Sequence, residues 1–215
     1  MWLLNLKILI IGAGGHAKVA FDVINSSGND TVVGFIDDNP KKNGQEFCGL
    51  SILGNISDLS NKLKNYTDGI FIAIGNNKTR ERIFIELKDQ YEIINAIHPS
   101  AIISDTVSMG KGILIVAGVI INFDSQIGDG VILNTGATID HDNVISDFVH
   151  IAPGANLAGT VKIGKYSMVG IGSAIIENIT IGENTTIGGG SVVIDDLPDN
   201  CVAFGNPAKV KKTKK

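Results

Sequence analysis

The sequence predicts two domains of different class: a small parallel α/β unit over residues 1–98, then an all-β solenoid over residues 99–215. Three observations carry this. From Ile103 every sixth residue is aliphatic, without insertion, through Met109, Ile115, Ile121, Ile127, Leu133, Ile139, Ile145, Ile151, Leu157, Ile163, Val169, Ile175, Ile181, Ile187 and Val193. Ahead of that stretch, buried-strand patterns alternate with helical ones. The first strand pattern runs into a glycine loop that opens a helix.

A strict period of six belongs neither to an α-helix nor to a flat strand. A β-solenoid of triangular cross-section produces it, because each side contributes one hexad and its aliphatic residue points down the axis. The residue two places earlier is usually small or β-branched, as at Val119, Ser125, Val131, Ala137, Val149, Ala155, Ser167 and Thr185. Fifteen intervals of six make ninety residues, or five coils of eighteen. At ~4.8 Å between strands the prism is roughly 24 Å tall.

In the first domain, Lys7 to Ile11 reads as a buried strand and Lys18 to Asn25 as a helix that stops at Ser26-Ser27-Gly28. A strand follows from Thr31 to Ile36 and ends at the turn signal Asp37-Asp38-Asn39-Pro40. Asp58 to Lys64 suggests a short helix, Gly69 to Ile74 a third strand, Thr79 to Gln90 an amphipathic helix and Glu92 to Ile97 a fourth strand. Alternation of this kind makes a parallel sheet. His98-Pro99-Ser100 is the joint, and His98 there reads as structural.

Composition excludes several classes. The chain of 215 residues is 44% hydrophobic, yet it holds no apolar run of the ~18 residues that a spanning helix needs. A net charge of −4 argues against a nucleic-acid partner. The basic cluster Lys209, Lys211, Lys212, Lys214 and Lys215 reads first as a solvated, fraying tail and second as a loose phosphate contact. Cys48 and Cys201 are far apart and lack metal-ligand spacing, and Met1 to Lys7 is too short for a signal peptide. A cytoplasmic protein without a metal is the expectation.

Two constellations carry chemistry. Gly12-x-Gly14-x-x-Ala17 follows a strand and opens a helix, with Asp37 a little over twenty residues on, the context of a dinucleotide fingerprint. Glycines there let backbone N–H groups approach a diphosphate. The unit is half the size of a two-lobed dinucleotide fold, so one nucleoside diphosphate fits better than NAD; a turn without a ligand is the competing reading. Gly75-Asn76-Asn77 closes the third strand, so three strand ends converge. In the solenoid, Asp140-His141-Asp142 interrupts the aliphatic pattern. An imidazole beside a carboxylate suits general-base work, and a corner histidine bonded to its neighbour is the plain alternative.

The stretches Ile11 to His16, Phe35 to Asp38, Phe71 to Asn77, Gly130 to Thr135, Ile139 to Asp142, Phe148 to Ile151, Ala158 to Gly164, Ile187 to Gly190 and Gly205 to Lys209 resemble, in order, the PglD/NeuD-like hexapeptide-repeat sugar acetyltransferases. The resemblance implies a Rossmann-like βαβ domain ahead of a left-handed parallel β-helix. It also implies a homotrimer with acetyl-CoA between adjacent prisms and a nucleotide-linked amino sugar on the N-terminal domain. By motif match His141 is the general base and Asp142, where the family often has Glu, raises its basicity. His150, Ile171 and Gly189 match acetyl-CoA contacts. Gly14, Gly15, His16, Asp37, Asp38 and Gly75 match sugar-nucleotide contacts, and Asn134 faces a neighbouring site.

The implied reaction is direct attack of a sugar C4 amine on the thioester, with a backbone N–H such as that of Gly159 at the oxyanion. UDP-2-acetamido-4-amino-2,4,6-trideoxyglucose is the first choice of substrate, with GDP-perosamine and dTDP-4-amino-4,6-dideoxyglucose open, for surface glycan synthesis. Competing readings are O-acetylation of a sialic acid or polysaccharide, a nonenzymatic nucleotide-sensing scaffold, and an NAD oxidoreductase.

Overall fold

Strand β1 (Lys7–Ile11) is wholly apolar after its first residue because it lies inside a parallel sheet with neighbours on both edges. The computed structural model describes residues 5–61, 63 and 66–214, and its chain forms two compact units, Met1–Pro99 and Ser100–Lys215.

In the first unit helix α1 (Gly15–Ser27) follows β1 and presents Ala17, Ala20, Val23 and Ile24 as its buried face. It starts three residues before the expected Lys18, because the Gly14 carbonyl already accepts from the N–H groups of Ala17 (3.0 Å) and Lys18 (3.3 Å). Gly28 ends it in the left-handed region, φ 67°. Strand β2 (Thr31–Ile36) lies along β1.

A hairpin absent from the sequence reading follows, β3 (Glu46–Phe47) and β4 (Leu50–Ser51), whose turn residues Cys48 and Gly49 both have positive φ. Helix α2 occupies Ile56–Asn61 rather than 58–64; Lys62 and Lys64 of the expected span lie outside the described residues, as do Met1 to Leu4. Strand β5 is Gly69–Ile72. Helix α3 (Asn77–Leu87) begins earlier than expected because the Asn76 side chain caps it, accepting from the Thr79 N–H at 2.9 Å, and it also ends earlier, at Leu87. The fourth strand stops after two residues, β6 (Glu92–Ile93). The sheet order β2-β1-β5-β6 brings the carboxyl ends of β1, β2 and β5 side by side.

The second unit is a parallel β-helix. Each two-residue strand pairs with the one eighteen residues on, as Ile121 with Ile139, Ile127 with Ile145 and Leu133 with Ile151, giving three stacked faces. The hexad aliphatics from Ile115 to Val193 are buried, and so are the residues two before them, including Val131, Ala137, Asn143, Ala155 and Ser167. Ile103, partly exposed, and Met109, at 39% exposure, depart from the expectation, since the first coil is stacked on one side only.

The corners obey a second period of six. Every sixth residue from 112 to 190 has positive φ, whether it is glycine or Asp124, Asp142, Phe148, Thr160, Tyr166, Asn178 or Asn184. Glycines that follow the aliphatic position serve another purpose: a Cβ at Gly164 would come within 2.6 Å of the next coil's backbone at Glu183.

The expected fraying tail is instead structured. Cys201–Gly205 pairs with Thr186–Ile187 and turns back as Ala208–Thr213, so Lys209, Lys211 and Lys212 sit on a strand; Lys215 lies outside the described residues. Lys209 pairs with Asp195 at 3.0 Å. Among the described residues no helix is long and apolar enough to cross a membrane, and no His/Cys/Asp/Glu cluster could hold a metal.

Candidate active site

One corner of the solenoid lies between the strands Thr138–Ile139 and Val144–Ile145 and carries residues 140–143. Asp142 occupies its left-handed position, φ 59°, which aims the carboxylate back along the chain. His141 Nδ1 lies 2.8 Å from Asp142 Oδ2. Asn122 Nδ2 donates to Asp140 Oδ1 at 3.0 Å and the His141 N–H donates to the same oxygen at 2.9 Å, so the backbone under the imidazole is anchored. The Asp142 bond holds the His141 pKa above its ordinary value against desolvation, and the charges of Asp140 and Asp142 add to it. Nδ1 faces the carboxylate, so Nε2 is the nitrogen left for a substrate proton.

Gly159 sits one coil further on beneath the ring. A Cβ there would lie 2.5 Å from Cε1 and 2.6 Å from Nε2 of His141, so only glycine leaves room for the imidazole. The Gly159 N–H donates to no backbone carbonyl among the described residues, which leaves it available to an oxyanion.

The remaining solenoid candidates lie elsewhere. Asn134, Ile171 and Gly189 belong to the corner on the other side of the strand Thr138–Ile139 and its stack. Gly189 packs against Ile171, where a Cβ would meet Cγ2 at 2.9 Å, and Ile171 is 63% exposed. His150 stands on the neighbouring face with Nε2 3.3 Å from Asn134 Nδ2. Within one chain, then, the His141 edge and the Ile171–Gly189 edge are separated by a full side of the prism.

In the first unit the glycine loop is built by pairing between strand ends. The Gly12 N–H donates to the Ile36 carbonyl at 2.6 Å, and the positive φ of 108° at Gly12 fits it against the Ala73 carbonyl. Gly14, Gly15 and Gly75 are different: their backbones are not left-handed and a Cβ at any of them would meet nothing. Space is thus kept open at the start of α1, where N–H groups and the helix dipole favour an anion.

Beside it an open cleft of about 160 Å³ is lined by Ile11, Gly12, Ile36, Asp37, Asp38, Ile56, Ile74, Thr79, Arg82 and Ile83. Asp37 is already engaged, accepting from the N–H groups of Ala13 (2.9 Å) and Asn39 (3.0 Å) and from Lys42 Nζ (2.7 Å). Burial works the other way, yet these bonds hold its carboxyl below the usual value. Lys42 also donates to the Ala13 carbonyl at 3.0 Å, so the pair latches the loop. Asp38 is exposed and accepts from the Ile56 N–H at 3.0 Å through one oxygen. His16 is held down to about 4 by burial and then by the Arg80 charge, so its imidazole is neutral near pH 7. Arg80, itself pushed down to about 9 by burial, donates to the carbonyls of Ile74 (2.9 Å) and Gly75 (3.3 Å) and shapes the third strand end.

Sequence reasoning missed Lys42, Arg80 and Asn143. Lys42 and Arg80 look like surface charges in the sequence. Asn143 did carry a signal, a carboxamide at an interior position otherwise held by Val, Ala, Ser, Thr or Ile.

Comparison with known proteins places these features in context. The family described as the PglD N-terminal domain matches residues 7–87, and the bacterial transferase hexapeptide family, six repeats, matches residues 160–195. The chain is 39% identical to a GDP-perosamine N-acetyltransferase from Caulobacter crescentus, solved with CoA and GDP-perosamine as a histidine-to-alanine mutant. The match has a TM-score of 0.91 and covers 96% of this chain and 97% of that one. It is 34% identical to the acetyltransferase domain of PglB from Neisseria gonorrhoeae in complex with acetyl coenzyme A, with a TM-score of 0.89 over 96% of this chain and all of that one. A UDP-N-acetylbacillosamine N-acetyltransferase from Bacillus subtilis is 38% identical over 117 residues, 52% of this chain and 51% of that protein. The chain spans between about a quarter and about a half of the length of the curated relatives it matches. The fold is the left-handed parallel β-helix of these acetyltransferases behind a parallel α/β domain.

Proposed function

The chain belongs to the PglD-type family of hexapeptide-repeat sugar acetyltransferases, and on that premise we propose that it transfers the acetyl group of acetyl-CoA to the C4 amine of a nucleotide-activated 4-amino-4,6-dideoxy sugar. The observation that carries the mechanism is the His141–Asp142 pair at 2.8 Å stacked on Gly159. The neutral amine attacks the thioester carbonyl, and its nitrogen passes a proton to His141 Nε2. The C–S bond breaks, and the proton leaves with the CoA sulfur. Asp142 keeps the proton of the resting imidazole on Nδ1 and stabilises the imidazolium. The Gly159 N–H is the donor for the tetrahedral oxygen.

The nucleoside diphosphate lies at Gly14, Gly15 and Gly75, with the base in the cleft near Asp38. Asp37, a candidate contact by motif, acts from behind as the loop latch. Acetyl-CoA runs along Ile171 and Gly189, with His150 and Asn134 beside it. Because that edge and the His141 edge lie on opposite sides of one prism face, a complete site needs two chains. A homotrimer meets that need. The two free cysteines support a cytoplasmic enzyme.

UDP-2-acetamido-4-amino-2,4,6-trideoxyglucose and GDP-perosamine lead the substrate candidates, from the names of the Bacillus and Caulobacter relatives. The test is CoA release with each of these and with dTDP-4-amino-4,6-dideoxyglucose, in wild type and His141→Ala. One sugar is expected to turn over, with kcat about 10²–10⁴-fold lower in the variant at unchanged thermal midpoint. Equal kcat in the two proteins overturns the role of His141, and no turnover with any amino sugar overturns the substrate class.

A further inference from the structure

We propose that Asn143 is a positioning residue for acetyl transfer, gripping from inside the prism the peptide that carries His141 and so holding the imidazole over Gly159; this rests on the acetyltransferase reading.

Three serines at the interior positions two before a hexad aliphatic act alike. Ser125, Ser167 and Ser173 each donate a hydroxyl hydrogen to the carbonyl fifteen residues on, at Asp140 (2.8 Å), Gly182 (2.7 Å) and Gly188 (3.0 Å), and so tie one coil to the next. Asn143 makes the same tie, Nδ2 to the Ala158 carbonyl at 2.9 Å. A serine has one hydrogen and can hold one coil. The carboxamide has two, and Asn143 uses the second on its own coil, donating to the Asp140 carbonyl at 2.8 Å with the His141 carbonyl at 3.3 Å. The Asn143 N–H in turn donates to Ser125 Oγ at 3.2 Å, and Ser125 holds the same Asp140 carbonyl. The two peptides that set the direction of the His141 side chain are therefore clamped from below, at the one corner that carries an imidazole.

The clamp has a cost. Asn143 is fully buried, and its Oδ1 has no hydrogen-bond partner among the described residues. Its Nδ2 faces carbonyl oxygens, so flipping the amide would bring like poles together. Val161, at the same position one coil on, shows that an apolar side chain fits there. A local rule broken at a buried site is expected where geometry for function outweighs stability.

The experiment compares Asn143→Ser, Asn143→Val and the control Ser167→Ala, measuring kcat, both KM values, the thermal midpoint and the His141 titration by NMR in the substrate-free protein. Asn143→Ser can tie the coils but cannot also grip residues 140 and 141. It is expected to keep the midpoint and both KM values while kcat falls about 10- to 100-fold. Its His141 titration should move down toward the ordinary imidazole value as the contact with Asp142 loosens. Asn143→Val is expected to lose kcat likewise with a midpoint close to wild type, because loss of the unsatisfied Oδ1 offsets loss of the tie to the Ala158 carbonyl. Ser167→Ala should lower the midpoint and leave kcat alone. Wild-type kcat and titration in Asn143→Ser overturn the proposal, as does a kcat that tracks the midpoint across all three. If wild type acetylates no nucleotide amino sugar, the acetyltransferase reading has failed, and the titration still judges the positioning on its own.

Discussion

His16, in the first turn of α1, and His141, at a solenoid corner, both lie in candidate sites, yet they titrate in opposite directions. His16 is pushed down to about 4 because it is buried beside the Arg80 guanidinium. His141 is held up by its bond to Asp142, against desolvation, with the charges of Asp140 and Asp142 adding to it. Burial keeps the first neutral, and exposure beside a carboxylate leaves the second free to exchange protons, as the general base proposed above must. The lesson is that motif proximity does not assign a histidine its task; the local dielectric and its partners do.

The sharpest way to break that contrast is to disturb the ground under His141. Gly159→Ala places a methyl where the ring now lies, and the exposed imidazole can swing away cheaply while the coil stays intact. We expect kcat to fall about 100-fold with no change in thermal midpoint; retention of kcat would show that the stacking is irrelevant.

Acidity separates the two histidines next. A general base at His141, as proposed, must be unprotonated, and its pKa is raised, so kcat/KM should drop about tenfold per pH unit below that raised value. His16 has a folded pKa below its unfolded one, so between about 6.5 and about 4 the unfolded chain binds a proton that the folded chain refuses. Stability of the first unit should then fall with decreasing pH, by up to about 1.4 kcal/mol per unit. Thermal unfolding of His16→Gln across that range should show a flatter slope, and an unchanged slope would contradict the buried, neutral assignment.

The smallest expected effect is at the latch. Asp37→Asn removes the Lys42 ion pair and leaves the cleft's other lining residues in place. The KM for the nucleotide sugar should rise, at most about tenfold, with that for acetyl-CoA and kcat unaffected. A change in the acetyl-CoA constant instead would place Asp37 outside the sugar-nucleotide site.

The two units also differ in how much of each was legible beforehand. Met109 apart, the inward hexad residues that matter from Ile115 onward follow from the period alone, because each coil meets only its neighbours and local pattern sets packing. In the α/β unit, helix starts and strand ends shifted by a few residues where caps decided them, as at Gly14 and Asn76. The Glu46–Ser51 hairpin went unseen because two-residue strands carry no readable alternation.

What the sequence by itself determined was the architecture, the glycine loop and the adjacent His141–Asp142 pair, all of which are encoded within one repeat or one short segment. Tertiary structure decided what those residues face. It set Gly159 under the imidazole eighteen positions away and sent Asp37 to Lys42 rather than to open space. It also put Asn143 inside the prism and the Ile171–Gly189 pair on a different edge from His141. The physical reason is the coil of eighteen: contacts between coils join residues that no local pattern relates, and their chemistry appears only when the coils are stacked.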